Sequence, residues 1–279
     1  QAENVVKEAE MQGDKLIGPR SLGGTCGTDG TGYGEPSSFP AAETKFRKGD
    51  IEAGLATAAT RHEAVYVQPS RHVNPMEPSA TLARWDDDRL TVFDAVQHGY
   101  NQQLVLASVF GITPENVRVV CPHTGGGFGS KGYVWPHEIL AAAAAQVVGR
   151  PVKLVLTRAQ MYANVGYQPQ MEQAITLGVD SGGRLTGLKH EVVGLTSVSD
   201  DYVDFATEAS KGLYATPAMY LRQRVRRAHV NLPCPMRAPI EGPGTWALES
   251  AMDELAHRLG MDPLDVRLAN YAEVNPADG

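Results

Sequence analysis

The stretch from residue 117 to residue 149 constrains this chain most. Residues 117–121 (VRVVC) carry the β-branched pattern of a buried strand. The loop PHTGGGFGSKG (122–132) follows. Then comes HEILAAAAAQVVG (137–149), with Pro136 near its first turn and Gly149 beyond its last. Being apolar nearly all round, this helix is expected to be buried. Strand, glycine loop and helix in this order let several backbone N–H groups approach a ligand with no Cβ in the way, and such loops hold anions or oxo groups. Three readings compete. Gly127, Gly129 and Gly132 satisfy a dinucleotide fingerprint. However, the helix begins several residues too late, and the strand KLVLT ends in Arg158 instead of a ribose-binding acid, a residue that would suit a 2′-phosphate. A Walker A loop fails, because Gly132 follows Lys131. The third reading is a tight turn without a ligand.

Around this segment the pattern is α+β. Residues 1–12 resemble the last turns of a helix, and 13–50 read as a linker crowded with glycine and proline. The chain looks cut from something longer, and its end, NYAEVNPADG, stops in a loop. Residues 49–59 predict a short helix with Asp50 near its N-cap. Strands are expected at 62–68, 79–85 and 90–97, a helix at 102–110, and a strand at 152–157. Further on, 171–179 and 184–194 read as strands joined by the turn DSGG, and 220–231 as another. There Arg222, Arg224, Arg226 and Arg227 look like one solvated strand face. Residues 232–244 read as an irregular Pro/Gly loop. A long helix then carries Leu248, Ala251, Met252, Leu255 and Leu259 on one stripe, and Asp262-Pro263 caps a last one. The expected organisation is a preceding-domain end with linker (1–45), a first α+β unit with the glycine loop (46–158) and a second α+β unit (159–279), each two-layered with a mixed sheet.

Composition narrows the function classes. The chain has 279 residues, 42% of them hydrophobic, enough for a sizeable core. A net charge of −7 disfavours nucleic acid and anionic membranes as partners. No apolar run reaches the roughly 20 residues of a membrane helix. Cys26, Cys121 and Cys234, an odd count without CxxC, argue against a disulfide framework, a zinc site or an iron–sulfur cluster in this chain.

GGGFGSKG with its Ala-rich helix and GRPVKLVLTR, HVNPMEPSATLARWDDDRLTVFDAVQ (72–97) and MRAPIEGPGTWALESAMDELAHRLGMDPLDVRLANY (236–271) closely resemble the molybdopterin-binding subunit of the xanthine dehydrogenase / aldehyde oxidase family. The resemblance runs over about residues 45–279. Residues 1–12 resemble the final helix of the family's preceding domain. The resemblance implies a molybdenum-cofactor-binding-domain-like fold and molybdenum on a pterin dithiolene, in bacterial relatives the cytosine dinucleotide form. It also implies a metal with oxo, sulfido and hydroxo ligands, a glutamate base, and electrons leaving through [2Fe–2S] clusters to FAD on partner subunits or domains. The family's motif falls on Gly126, Gly127, Phe128 and Gly129, with the backbone at Phe128 facing the metal's apical oxo group and its ring an apolar anchor. The family's arginine before the Gly-Pro turn falls on Arg237, held between Pro235 and Pro239.

Two departures from xanthine-type enzymes stand out. Gly132 stands where they carry a Glu, and Ala209 is near the place of their purine-contacting Arg. The chain therefore resembles the bacterial aldehyde and N-heteroaromatic branch. The family's Gly-Gln-Gly loop and its catalytic Val-Gly-Glu motif lie beyond residue 279, in the C-terminal remainder of the subunit, so no residue here is assigned as the base. Of Glu138, Glu241 and Glu249, only Glu241, in the Pro/Gly loop, is worth watching. A non-catalytic nucleotide- or anion-binding module stays as the alternative. No His-Glu pair has HExxH spacing, so no metal site is expected. His72 reads as a structural hydrogen-bonder, Cys234 as a packed thiol, and Tyr162, Tyr167 and Tyr202 as packing residues beside any substrate funnel.

Overall fold

The computed structural model describes residues 43–276, so the expectations for residues 1–42, including Cys26, lie outside the described residues. In chain order the elements are β1 (Glu43–Lys48), α1 (Ile51–Ala56), β2 (Thr60–Gln68), β3 (Arg71–His72), β4 (Ala80–Asp86), β5 (Arg89–Asp94), α2 (Gly99–Phe110), β6 (Val117–Val120), α3 (Pro136–Val148), β7 (Val152–Val155), α4 (Arg158–Asn164), β8 (Tyr167–Gln168), β9 (Met171–Val179), β10 (Leu185–Ser197), α5 (Ala209–Gly212), β11 (Met219–Ala228), α6 (Glu241–Leu259) and α7 (Pro263–Ala269). The class is α+β, as expected, with three sheets. Among the described residues no helix is long and apolar enough to cross a membrane.

The glycine loop sits on a four-stranded sheet ordered β6-β5-β4-β7, in which β5 and β6 run parallel. One face of this sheet is covered by α2 and α3. Alternating Leu90 and Val92 meet Leu106, Ala107, Ala141, Ala142 and Ala145 there, all buried. The alanines let the helix lie close to the strands, and each fully buried larger side chain stabilises by roughly 1.5–3 kcal/mol. Contrary to its all-round apolar sequence, α3 buries only this face. Leu140, Val147 and Val148 are exposed, because the sheet covers one side of a helix and no more.

The second sheet is five-stranded, β1-β11-β10-β9-β2. Its β10 and β11 are parallel, joined through α5, and its other pairs are antiparallel. The stripe predicted for α6 packs here. Leu248, Ala251, Met252 and Leu255 lie against Ile175, Leu177, Leu188 and Leu221, and α7 adds Val266. Ile51 and Leu55 of α1 pack with Ala218 and Tyr220. The arginines of β11 alternate with buried Leu221, Gln223 and Val225, as a half-solvated strand face should. β2 pairs along its length with β9, so this sheet joins strands from both sides of residue 158.

Three elements differ from the sequence reading. β1 lies inside the stretch read as linker; its partner β11 is more than 170 residues away, so nothing local marks it. α4 was not expected, although Thr157 and Gln160 form a capping box that the sequence spells out. α6 begins at Glu241, inside the stretch read as an irregular loop. Pro243 is tolerated there because the first turn needs no N–H from it.

Candidate functional site

The residues predicted to line a cofactor come together although they are 109 positions apart. Arg237 N–H donates to Phe128 O at 2.9 Å, joining the glycine loop to the loop before α6. Gly129 lies at the same junction. Its φ is +108°, and a Cβ there would fall on the Pro235 carbonyl oxygen, so only glycine permits the approach. Phe128 is itself left-handed, with φ +51°, a conformation costing about 1 kcal/mol or more for a side chain of its size. Its ring is 45% exposed. Ala238, next to Arg237, is also left-handed, with φ +55°.

The loop is held from behind. The Gln97 side-chain oxygen accepts from Gly129 N–H at 2.9 Å and Lys131 N–H at 3.2 Å, and Gln97 N–H donates to Lys131 O at 2.8 Å. A Cβ on Gly127 would collide with this same carboxamide. Trp135 Nε1 donates to Ser130 O at 2.6 Å. The Lys131 side chain is only 4% exposed; its ammonium reaches Glu77 at 2.8 Å and Thr124 O at 2.6 Å. Arg158 donates to Pro75 O at 2.6 Å and to Met76 O at 3.1 Å, which fixes the turn carrying Glu77. Both cations that a nucleotide reading would use are thus internal ties, and the binding-module alternative gains no support.

With these ties made, the N–H groups of Gly126, Gly127 and Phe128 donate to no partner among the described residues. Nor does the Arg237 guanidinium, whose residue is exposed. Three successive amides and the Arg237 side chain are thus without a partner among the described residues, on loops joined at Phe128. The residues that hold this run (Gln97, Glu77, Lys131, Arg158 and Trp135) were barely legible. For Gln97 the one signal is its position closing the 90–97 strand pattern.

The remaining candidates have structural surroundings. Glu138 Oε1 accepts from Trp135 N–H at 3.1 Å and caps α3. Glu249 accepts from the Tyr214 hydroxyl and from Arg267 Nε, both at 2.6 Å, tying α6 to α7. Glu241 is exposed in the first turn of α6. Cys234 is fully buried, and burial pushes its thiol up, as for a packed residue. His72 differs from expectation: it makes no side-chain hydrogen bond among the described residues and instead lies edge-on to Tyr162 at 4.8 Å and beside Tyr167 at 5.7 Å. Burial lowers its pKa. A small pocket beside the loop is lined by His72, Asn74, Ser130, Met161 and Tyr162. Asp94, His137 and Glu138 bring ligand-type atoms within 4.8 Å of one another. The four carboxyl oxygens there already accept from N–H or O–H donors, so we do not read the cluster as a metal centre.

The molybdenum-binding subunit of the aldehyde oxidoreductase PaoC of Escherichia coli is 35% identical over 230 residues, 82% of this chain and 31% of the relative. The nicotine 6-hydroxylase large subunit of Paenarthrobacter nicotinovorans is 28% identical over 242 residues, 82% of this chain and 29% of the relative. Among solved structures, the aldehyde oxidoreductase of Desulfovibrio gigas shares the fold with a TM-score of 0.78 at 24% identity, over 87% of this chain and 28% of that one. The chain thus spans about a third of the length of these curated relatives. Residues 35–271 match the molybdopterin cofactor-binding domain, and the chain belongs to that family.

Proposed function

We propose that this chain forms one wall of the molybdopterin cleft of a molybdenum hydroxylase, which oxidises an aldehyde or an N-heteroaromatic carbon with water as the oxygen source. The observation that carries this reading is the junction of Phe128 with Arg237 beside three successive N–H groups that have no partner among the described residues, on a loop tied back by Gln97. These residues fit the group. The cofactor is anionic and presents electron-rich oxygens, and the loop offers amide donors on glycines whose close packing against Gln97 and Pro235 leaves no room for a Cβ.

When bound, the cofactor supplies the two-electron chemistry. The chain's own part is to bind and orient. The amides of Gly126, Gly127 and Phe128 would hold the electron-rich oxygens of the cofactor by donating to them, and fixed amides in a water-poor site stabilise negative charge without reorganising. The Arg237 guanidinium, carried on the loop joined to Phe128, would pair with anionic oxygen. Gly126, Gly127, Phe128, Gly129 and Arg237 are the cofactor-binding residues of this reading.

The base that activates the oxygen nucleophile is assigned to the remainder of the molybdenum subunit, as is the other wall. The [2Fe–2S] clusters and FAD are assigned to partner subunits or domains, and the cofactor to its cytosine dinucleotide form. Gly132 and Ala209 favour the aldehyde or heteroaromatic class: neither offers the polar side chain that would orient a purine. Elemental mass spectrometry of the complete natural polypeptide, purified with its partners, tests the reading. Near-stoichiometric molybdenum is expected; none, from cells that make the cofactor, would overturn it.

A further inference from the structure

Two limbs carry the residues that hold the glycine loop. One runs from Asp94 at the end of β5 through Ala95 and Val96 to Gln97. The other runs back from Glu138 in the first turn of α3 through Trp135 to Ser130, whose carbonyl accepts from the Trp135 ring N–H. Between the limbs, at 1% exposure, lies Gln102 of α2. Its Nε2 donates to Asp94 Oδ2 at 2.7 Å and to Glu138 Oε2 at 2.8 Å. The other oxygen of each carboxyl grips its own limb: Asp94 Oδ1 accepts from Ala95 N–H at 2.7 Å, and Glu138 Oε1 from Trp135 N–H at 3.1 Å.

We propose that Asp94, Gln102 and Glu138 are positioning residues for the glycine loop, the Gln102 carboxamide tying the limb that bears Gln97 to the limb that supports Ser130 and so setting where the free amides point. An apolar filler would pack this space at lower desolvation cost, since two buried carboxyls are expensive. What the polar triad adds is a defined distance between the limbs. Burial pushes the Glu138 carboxyl well above the usual range, and Asp94 beside it pushes the same way. Burial raises Asp94 too, against its hydrogen bonds from Thr81, Gln102 and Ala95 and the charge of Lys131. Lys131 and His137 are the other titratable groups facing the pair, and burial holds His137 neutral. Gln102 Oε1 has no partner in this arrangement. A half-turn of the amide would make it the acceptor for protonated carboxyls, so one side chain serves either state.

Hydrogen exchange on the full chain tests the proposal through Gln102→Leu and the milder Asp94→Asn. In Gln102→Leu the Gly129 and Lys131 amides should exchange about tenfold faster, while β9 and β10 keep their protection. Asp94→Asn should give a smaller acceleration confined to the same amides, and this carries the test if the first variant does not fold. Unchanged loop amides in both variants would overturn the proposal, as would equal acceleration of loop and five-stranded sheet. Any effect on cofactor retention rests on the proposed function and is read separately as molybdenum content. Loosened loop amides with full metal content would uphold the clamp and count against the loop as a cofactor wall.

Discussion

Two glycine-rich turns in this chain differ in what closes them. The turn at residues 180–183, between β9 and β10, closes chiefly on its own donors, with Asn270 Nδ2 donating to Gly183 O at 2.8 Å from outside. Asp180 Oδ1 accepts from Gly182 N–H and Arg184 N–H, both at 2.9 Å, and Gly183 N–H reaches Asp180 O at 3.1 Å. The loop at residues 124–131 is closed mostly by residues far away in sequence: Glu77, Gln97, Pro235 and Arg237. A turn that only reverses the chain can use its own donors. A loop that presents its amides outward must be held from outside, because internal bonding would consume those donors.

The sharpest way to break the contrast is Gly129→Val. A β-branched residue at φ +108° with its Cβ on the Pro235 carbonyl should cost about 3 kcal/mol or more and part the two loops; urea denaturation would show it. A denaturation midpoint like the parent's would refute the close approach. Gln97→Leu should cost less, about 1 kcal/mol, since it strips the acceptor from two amides and leaves the backbone path intact. Its signature is loss of exchange protection at Gly129 and Lys131 alone.

Acid titration compares the two sheets. Burial lowers His137, beside the four-stranded sheet, to about 4, and His190, within the five-stranded sheet, to about 3. Both are neutral in the fold and take up protons more readily when unfolded. Their contribution is therefore complete above the unfolded histidine value near 6.5 and is lost as pH falls. Between pH about 6.5 and 4 both residues should contribute to the slope of stability, and between about 4 and 3 chiefly His190. Denaturation curves of His137→Gln and His190→Gln would separate them; identical slopes in parent and variants would contradict the assignment. The smallest effect is expected from Asp180→Ala, about 0.5–1 kcal/mol at an exposed turn, with no change in the glycine loop.

The same contrast explains what could be read in advance. Asp50 and Asp262 cap α1 and α7 as their spacing indicates, and DSGG forms its turn, because each signal and its partner lie within four residues. The α6 stripe and the alanine face of α3 were legible as periodicity. β1 was not, because only β11 makes it a strand. The start of α6 was hidden by Gly242, Pro243 and Gly244, residues that ordinarily end helices; Gly244 is needed where a Cβ would meet the Ala206 carbonyl. In the site, Phe128 and Arg237 could be named from motifs, but not the hydrogen bond between them. Nor could the internal use of Lys131, which reads as a surface cation until Glu77 is seen beside it.

Under the proposed function, the amides of Gly126, Gly127 and Phe128 are held free for the cofactor. Hydrogen exchange over residues 124–131, compared between cofactor-loaded enzyme and the same enzyme stripped of cofactor, tests it most directly. Fast exchange at these three amides without cofactor and strong protection with it are expected, while the turn at residues 180–183 stays unchanged. Equal exchange in both states at all three amides would contradict it.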